Sequence, residues 1–130
     1  MYVCSVCEKE PDSHSFYLLH EVNGHGVFYS CDAEATDDNT DNIFDHINGV
    51  LADFHSTPGK TWEWIFDGKD YKMNLNSMVL GIKILSVFNT YRSGLKKLNI
   101  INPNDFIRTM FNMMTPFMDQ KMIDMIQIKD

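Results

Sequence analysis

Tyr91-Arg92-Ser93-Gly94-Leu95-Lys96-Lys97-Leu98-Asn99-Ile100-Ile101-Asn102-Pro103 is the stretch whose reading sets the fold. It begins where a helical pattern stops, with Gly94 placed as a helix C-terminus favours. Leu98 to Asn102 then reads as a short buried strand. Asn102 suits a helix cap, and Pro103 suits the first turn of the helix that follows. A helix end, a strand and a helix start in direct succession are the unit from which α/β sheets are built.

Working outward, Phe106, Ile107, Met110, Phe111 and Met114 form a helical stripe. Pro116 interrupts it, because proline lacks the amide the helix ladder needs. A second helical pattern follows at Met118, Met122, Met125 and Ile126, and Gln127-Ile128-Lys129 can open a strand. Upstream, the pattern from Leu75 is helical, with Met78, Ile82, Leu85 and Phe88 on one stripe flanked by Val79 and Tyr91. Before it, Thr61 to Asp67 has strand residue types, and Trp62, Trp64 and Phe66 share one face. Ile43, Phe44, Ile47, Val50, Leu51 and Phe54 recur at helical spacing, with Thr40 or Asp41 as cap. The acids of residues 32–41 suit the positive end of that helix. Ser15–Leu19 and Gly26–Cys31 are extended runs around Asn23-Gly24, a dipeptide that tolerates the positive φ of a tight hairpin.

The order β-β-α-β-α-β-α-α predicts a mixed, largely parallel α/β sheet with right-handed crossovers, helices packed on it and an N-terminal β-hairpin. No repeat or linker interrupts residues 1–130, so one domain is expected, with residues 1–15 carrying no clear periodicity.

A chain of 130 residues can bury a core without disulfides or metal. Its net charge of −7 opposes a nucleic-acid partner, since that affinity comes from Lys and Arg on phosphates, and Lys96-Lys97 is the one basic pair. Three cysteines are an odd number for a disulfide framework, and the N-terminus lacks a signal-peptide pattern. A reduced, cytoplasmic setting is expected. Five of the nine methionines lie between Met110 and Met122. They suit either an irregular core or a deformable apolar pocket.

Three pieces in register resemble the CRAL-TRIO lipid-binding family. Trp64-Ile65-Phe66-Asp67-Gly68 is similar to the family's strand ending in Asp and a small residue. Residues 91–103 resemble its "YPERL-K-hhIINAP" segment. Thr115-Pro116-Phe117-Met118-Asp119, with Ile126 later, is similar to its "KPFLD…KI" signature. Upstream, Asn23-Gly24-His25-Gly26-Val27 resembles the family's "D-x-x-GRPV" hairpin. The resemblance implies a hydrophobic cavity with the sheet as floor and a helical gate over it, the gate running from about Phe106 to Met125. The ligand-binding residues it implies are Trp64, Phe66, Ile82, Leu85, Ile100, Phe106, Met110, Met114, Phe117, Met118 and Met122. It implies non-catalytic binding of a lipid or other hydrophobic small molecule, with contact at a membrane surface, and no cofactor. The alternative is an interaction or self-association module that keeps the fold without a working pocket. Ser93 and Met125 stand where phosphatidylinositol-binding members carry a Glu and a Lys, so inositol headgroup recognition is not expected. Family members also extend beyond the "KI" strand, so a full pocket is not expected to close within one copy.

Other chemistry is weaker. Cys4-Ser5-Val6-Cys7 is a lone CxxC; a zinc site needs two further ligands, and His14, His20, His25 and Cys31 are candidates. No second CxxC or paired His motif accompanies it, so reduced structural thiols are expected and no metal. Thr57-Pro58-Gly59-Lys60-Thr61 mimics the end of a phosphate loop, but it follows a helix and opens a strand, the reverse of what that loop requires. Asp45 and His46 are helix neighbours and do not face each other. No nucleophile or paired-carboxylate signature suggests an enzyme.

Overall fold

The computed structural model describes residues 2–71 and 75–129. In chain order its elements are α1 (Ser5–Lys9), β1 (Tyr17–Val22), β2 (His25–Cys31), α2 (Thr40–Phe54), β3 (Thr61–Asp67), α3 (Leu75–Thr90), β4 (Leu95–Ile101), α4 (Asp105–Met114), α5 (Gln120–Met125) and β5 (Ile126–Lys129). Single 3-10 turns occupy Asp32–Glu34, Arg92–Gly94 and Thr115–Phe117. The five strands lie side by side in the order β1-β2-β3-β4-β5. The first pair is antiparallel and the other three are parallel.

The mixed, largely parallel sheet is the one the residue patterns predict. The hairpin turns on Asn23 and Gly24, both at positive φ (51° and 79°), as a two-residue turn between right-twisted strands requires. Three details differ. α2 is capped by Asn39, whose side chain accepts from the Asn42 amide, rather than by Thr40 or Asp41. α4 is capped by Asn104, which accepts from the Ile107 amide at 2.9 Å, rather than by Asn102. Ile126 belongs to β5 rather than to the helix before it, where its side chain packs against the core.

A strand order that never reverses has a direct consequence. Crossovers of one hand then place every connecting helix on the same side of the sheet. That side carries Phe28, Trp62, Trp64, Phe66, Leu98 and Ile100, and the core forms there against Ile47, Leu51, Phe54, Val87, Phe88 and Ile107. Phe16, from the segment before β1, stacks on Phe28 at 5.2 Å and meets Trp64 edge-on at 5.0 Å. The buried indoles keep their hydrogen bonds. Trp64 donates to Ser30 Oγ at 2.8 Å and Trp62 to the Tyr91 carbonyl at 3.1 Å. Ser30 is buried as the partner that Trp64 needs.

The opposite sheet face is mixed, with Val27, Cys31 and Ile65 set among polar groups. His25 reaches Thr61 Oγ1 and Glu63, and Glu63 also accepts from Asn99. Tyr29 donates to Asp67 at 2.6 Å. Among the described residues, no helix is long and apolar enough to cross a membrane.

Candidate functional site

The floor of the candidate site is set by strand alternation. Trp64 and Phe66 of β3 project to the helix side, and their parallel register places Leu98 and Ile100 of β4 beside them. Ile126 of β5 extends the same surface. α3 and α4 run over it. Asn104 fixes the start of α4, and helical spacing then turns Ile107, Met110, Phe111 and Met114 toward the floor.

Pro116 ends α4 in the 3-10 turn, and Asp119 starts α5 by accepting from the Met122 amide at 2.9 Å. Arg92 Nη2 reaches the other oxygen of Asp119 at 2.5 Å, which ties this loop to the segment entering β4. The Met122 amide and the Arg92 guanidinium hold the Asp119 carboxyl below its ordinary range.

Two cavities share this floor. The smaller, about 110 Å³, lies between the sheet, α3, α4 and Met118. Its lining is apolar throughout and includes Trp64, Phe66, Leu85, Ile100, Met110, Met114 and Met118 from the expected set. Gly81, Ile84, Phe88, Leu98, Ile107, Phe111 and Ile126 complete it. Ile82, Phe106 and Phe117 do not line it, since their side chains are 61%, 53% and 73% exposed. Met122 is buried in the core instead.

The larger cavity, about 430 Å³, lies on the other side of α3, under α2 and the segment before β1. Trp64, Phe66 and Ile84 line both spaces. Its inner wall adds Phe16, Ile43, Ile47, Tyr71 and Leu80, and its mouth carries Asp32, Asp37, Asp38 and Asp70. Tyr71 also contacts Met110, with its hydroxyl 3.5 Å from the sulfur, at the boundary between the two cavities. Burial pushes the Asp32 carboxyl up to about 6. The site therefore has an apolar bed and an acidic rim. The family resemblance implies a ligand space under the Met-rich gate; the larger volume lies on the α2 side. The helical stripe of α2 carries Ile43 and Ile47 and so marks this wall, but nothing local in the sequence shows that a gap stays open beneath it.

A second group of side chains meets beside the larger cavity. Cys4, Cys7, His14 and His46 present one ligand atom each, all within 4.8 Å of one another. His46 joins them from α2. The other candidates lie elsewhere: His20 is exposed on β1, His25 is bonded to Thr61 and Glu63, and Cys31 is buried near the Lys69 carbonyl.

With this geometry in place, the comparisons can be stated. A model of the CRAL/TRIO domain matches residues 27–130. The chain belongs to the CRAL-TRIO family. The match contains all three downstream motif segments, from Trp64 to Ile126. The crystal structure of Sfh5 has the same fold, with a TM-score of 0.66 at 12% sequence identity over 93% of this chain. This chain spans 50% of that one. No curated protein matches the sequence. Hydrophobic-ligand binding is a property of the CRAL-TRIO family at large.

Proposed function

We propose that this CRAL-TRIO chain binds a lipid or another hydrophobic small molecule without transforming it, by sequestration or transfer. The observation that carries this reading is the shared floor. Trp64 and Phe66 line both cavities, as does Ile84 of α3. The larger volume of about 430 Å³ falls in the range of small-molecule sites, roughly 300–1,000 Å³. Methionines at 110, 114 and 118 suit an irregular apolar guest, because the thioether chain repacks at little cost. The acidic rim disfavours an anionic headgroup, and Ser93 and Met125 replace the family's inositol contacts. The favoured ligand is therefore neutral, or bears a cationic end. Three free cysteines suit a reduced cytoplasmic setting.

Native mass spectrometry of the purified chain, mixed with neutral, anionic and cationic lipids in turn, tests this. A bound neutral or cationic apolar species at one per chain is the expected result. No retained ligand from any of the three classes, from a folded sample, removes the proposal.

One observation favours a second reading. Ile82, Phe106, Met113 and Phe117 leave large apolar side chains at the surface over α3, α4 and the turn after it. Such groups suit a protein partner or a second copy of the chain. Light scattering across a concentration series decides between a stable monomer and self-association.

A further inference from the structure

The Cys4, Cys7, His14 and His46 cluster is independent of the lipid reading. Cys4 immediately precedes α1 and Cys7 lies within it, so a spacing of three turns both sulfurs to one side. His14 Nδ1 sits 3.5 Å from each sulfur, and His46 Nδ1 sits 3.9 Å from Cys7 Sγ. Ligands at ordinary Zn–S and Zn–N lengths on a tetrahedron stand about 3.6 Å apart. Three of the six separations between the four atoms lie between 3.5 and 3.9 Å, and none exceeds 4.8 Å.

The outer contacts point the same way. His14 Nε2 meets the Asp37 carboxylate at 2.9 Å, and His46 Nε2 meets the Phe16 carbonyl at 2.7 Å. A carbonyl can only accept, so His46 donates from Nε2 and its Nδ1 lone pair faces the sulfurs. The same tautomer suits His14. An imidazole oriented by a carboxylate or carbonyl behind it is the usual backing of a metal ligand. The His14 side chain is 1% exposed, and the cysteines carry no disulfide.

The segment also needs an anchor. α1 has five residues and buries none of them. A helix that short is not stable by itself. Yet the chain on either side is seated: Tyr2 lies over Gly49 of α2, and Asp37 donates its amide to the Ser13 carbonyl at 3.0 Å.

We propose that Cys4, Cys7, His14 and His46 bind one zinc ion in a closed, structural site that fastens the N-terminal segment to α2. Four protein ligands leave no open position, so the ion's role is to hold the fold. Two thiolates and two imidazoles favour zinc over magnesium or calcium. The bond would secure Phe16, two residues after His14, over the ligand floor.

The test uses the full chain, purified reduced from zinc-replete cells. Elemental analysis is expected to give one zinc per chain. Exchange into cobalt(II) is expected to give the visible bands of a tetrahedral ion together with thiolate charge-transfer absorption. His46→Ala should lose the zinc, whereas Cys31→Ser should keep it. Asp37→Ala should weaken zinc binding by about 10–100-fold while leaving the ligand set intact. If His46→Ala fails to fold, the cobalt spectrum of the unmodified chain still decides the matter. A reduced chain that takes up neither metal overturns the proposal. So does recovery of Cys4 and Cys7 as a disulfide, or zinc that survives His46→Ala in a folded chain.

Discussion

The side-chain amide of Asn102 donates to Asp67 at 2.9 Å, joining the C-terminal ends of neighbouring strands β3 and β4. The Asp67 carboxyl also accepts from the Tyr29 hydroxyl at 2.6 Å and from the Lys69 amide at 3.0 Å. Asn102 takes a positive φ of 49° to make its contact, and Gly68 packs so closely beneath that a Cβ there would lie 2.8 Å from the Asn102 carbonyl. The Asp–Gly and Asn–Pro pairs of the family motifs are thus the two halves of one clasp.

Asp67→Ala should therefore cost about 1–2 kcal/mol, because the half-buried Tyr29 hydroxyl and the exposed Asn102 and Lys69 donors lose a charged acceptor. Asn102→Ala should cost about 1–2 kcal/mol, from the lost bond and the positive φ. The two residues share one contact, so the double variant should lose less than the sum. Urea unfolding followed by circular dichroism measures all three. Strict additivity would show that the clasp is not a unit.

The same carboxyl sets an acid limit. Burial alone would raise it, but its hydrogen bonds from Tyr29, Asn102 and Lys69 outweigh that and leave it lowered. A lowered carboxyl contributes stability above the unfolded value of about 4, and that contribution is lost as pH falls through the folded value. Asp67→Asn should flatten the stability curve below about pH 4. An unchanged acid limb would refute this assignment.

Asp32 has the opposite sign. Burial raises its carboxyl to about 6. Between an unfolded value of about 4 and that raised value the folded chain holds more protons, so this group lowers stability as pH rises across the interval. Asp32→Asn should stabilise the protein at neutral pH by about 1–3 kcal/mol and have little effect below about pH 4. Thermal denaturation of both proteins at a series of pH values compares them.

Gly81 faces the smaller cavity from within α3, where an added Cβ would lie 3.5 Å from the Met110 sulfur, an ordinary contact. Gly81→Ala should stabilise the helix by about 0.5–1 kcal/mol. It should also narrow the cavity and slow the uptake of bulky apolar probes. Unfolding midpoints and loading rates report the two effects separately.

The chain has two tryptophans, and one of them, Trp64, lines the cavities. Binding of an apolar ligand on the floor should shift the fluorescence of the Trp62→Phe variant and leave that of Trp64→Phe almost unmoved. Trp64→Phe also deprives Ser30 of its donor, at a cost of about 1 kcal/mol. A response that follows Trp62 instead would place the ligand elsewhere.

The elements that were legible in the sequence are those whose local signals agree. Thr61–Asp67 alternates cleanly and ends at Gly68, and Asn23-Gly24 admits one kind of turn. α3 was harder to orient because it is apolar nearly all round, from Met78 through Phe88. Its stripe can be drawn through Ile82, which proves exposed, whereas Leu80, Val87 and Phe88 are buried. Asn102 and Asn104 are equally good caps by residue type; the bond to Asp67 takes Asn102 and leaves Asn104 to the helix. His46 carries no local mark of kinship with Cys7, because tertiary structure alone brings them within 3.9 Å. The cavity on the α2 side is hidden for the same reason, since it is a gap between elements that each look normal.

The unbroken spatial order of the strands bears on how the chain is made. Each parallel strand joins a neighbour that has already left the ribosome, and none must wait for a later strand to be inserted between two earlier ones. Loop closure then stays local to one crossover at a time, which keeps its entropic cost low. Synthesis and sheet growth can advance together from the hairpin through β5, with the same side of the sheet receiving each new strand.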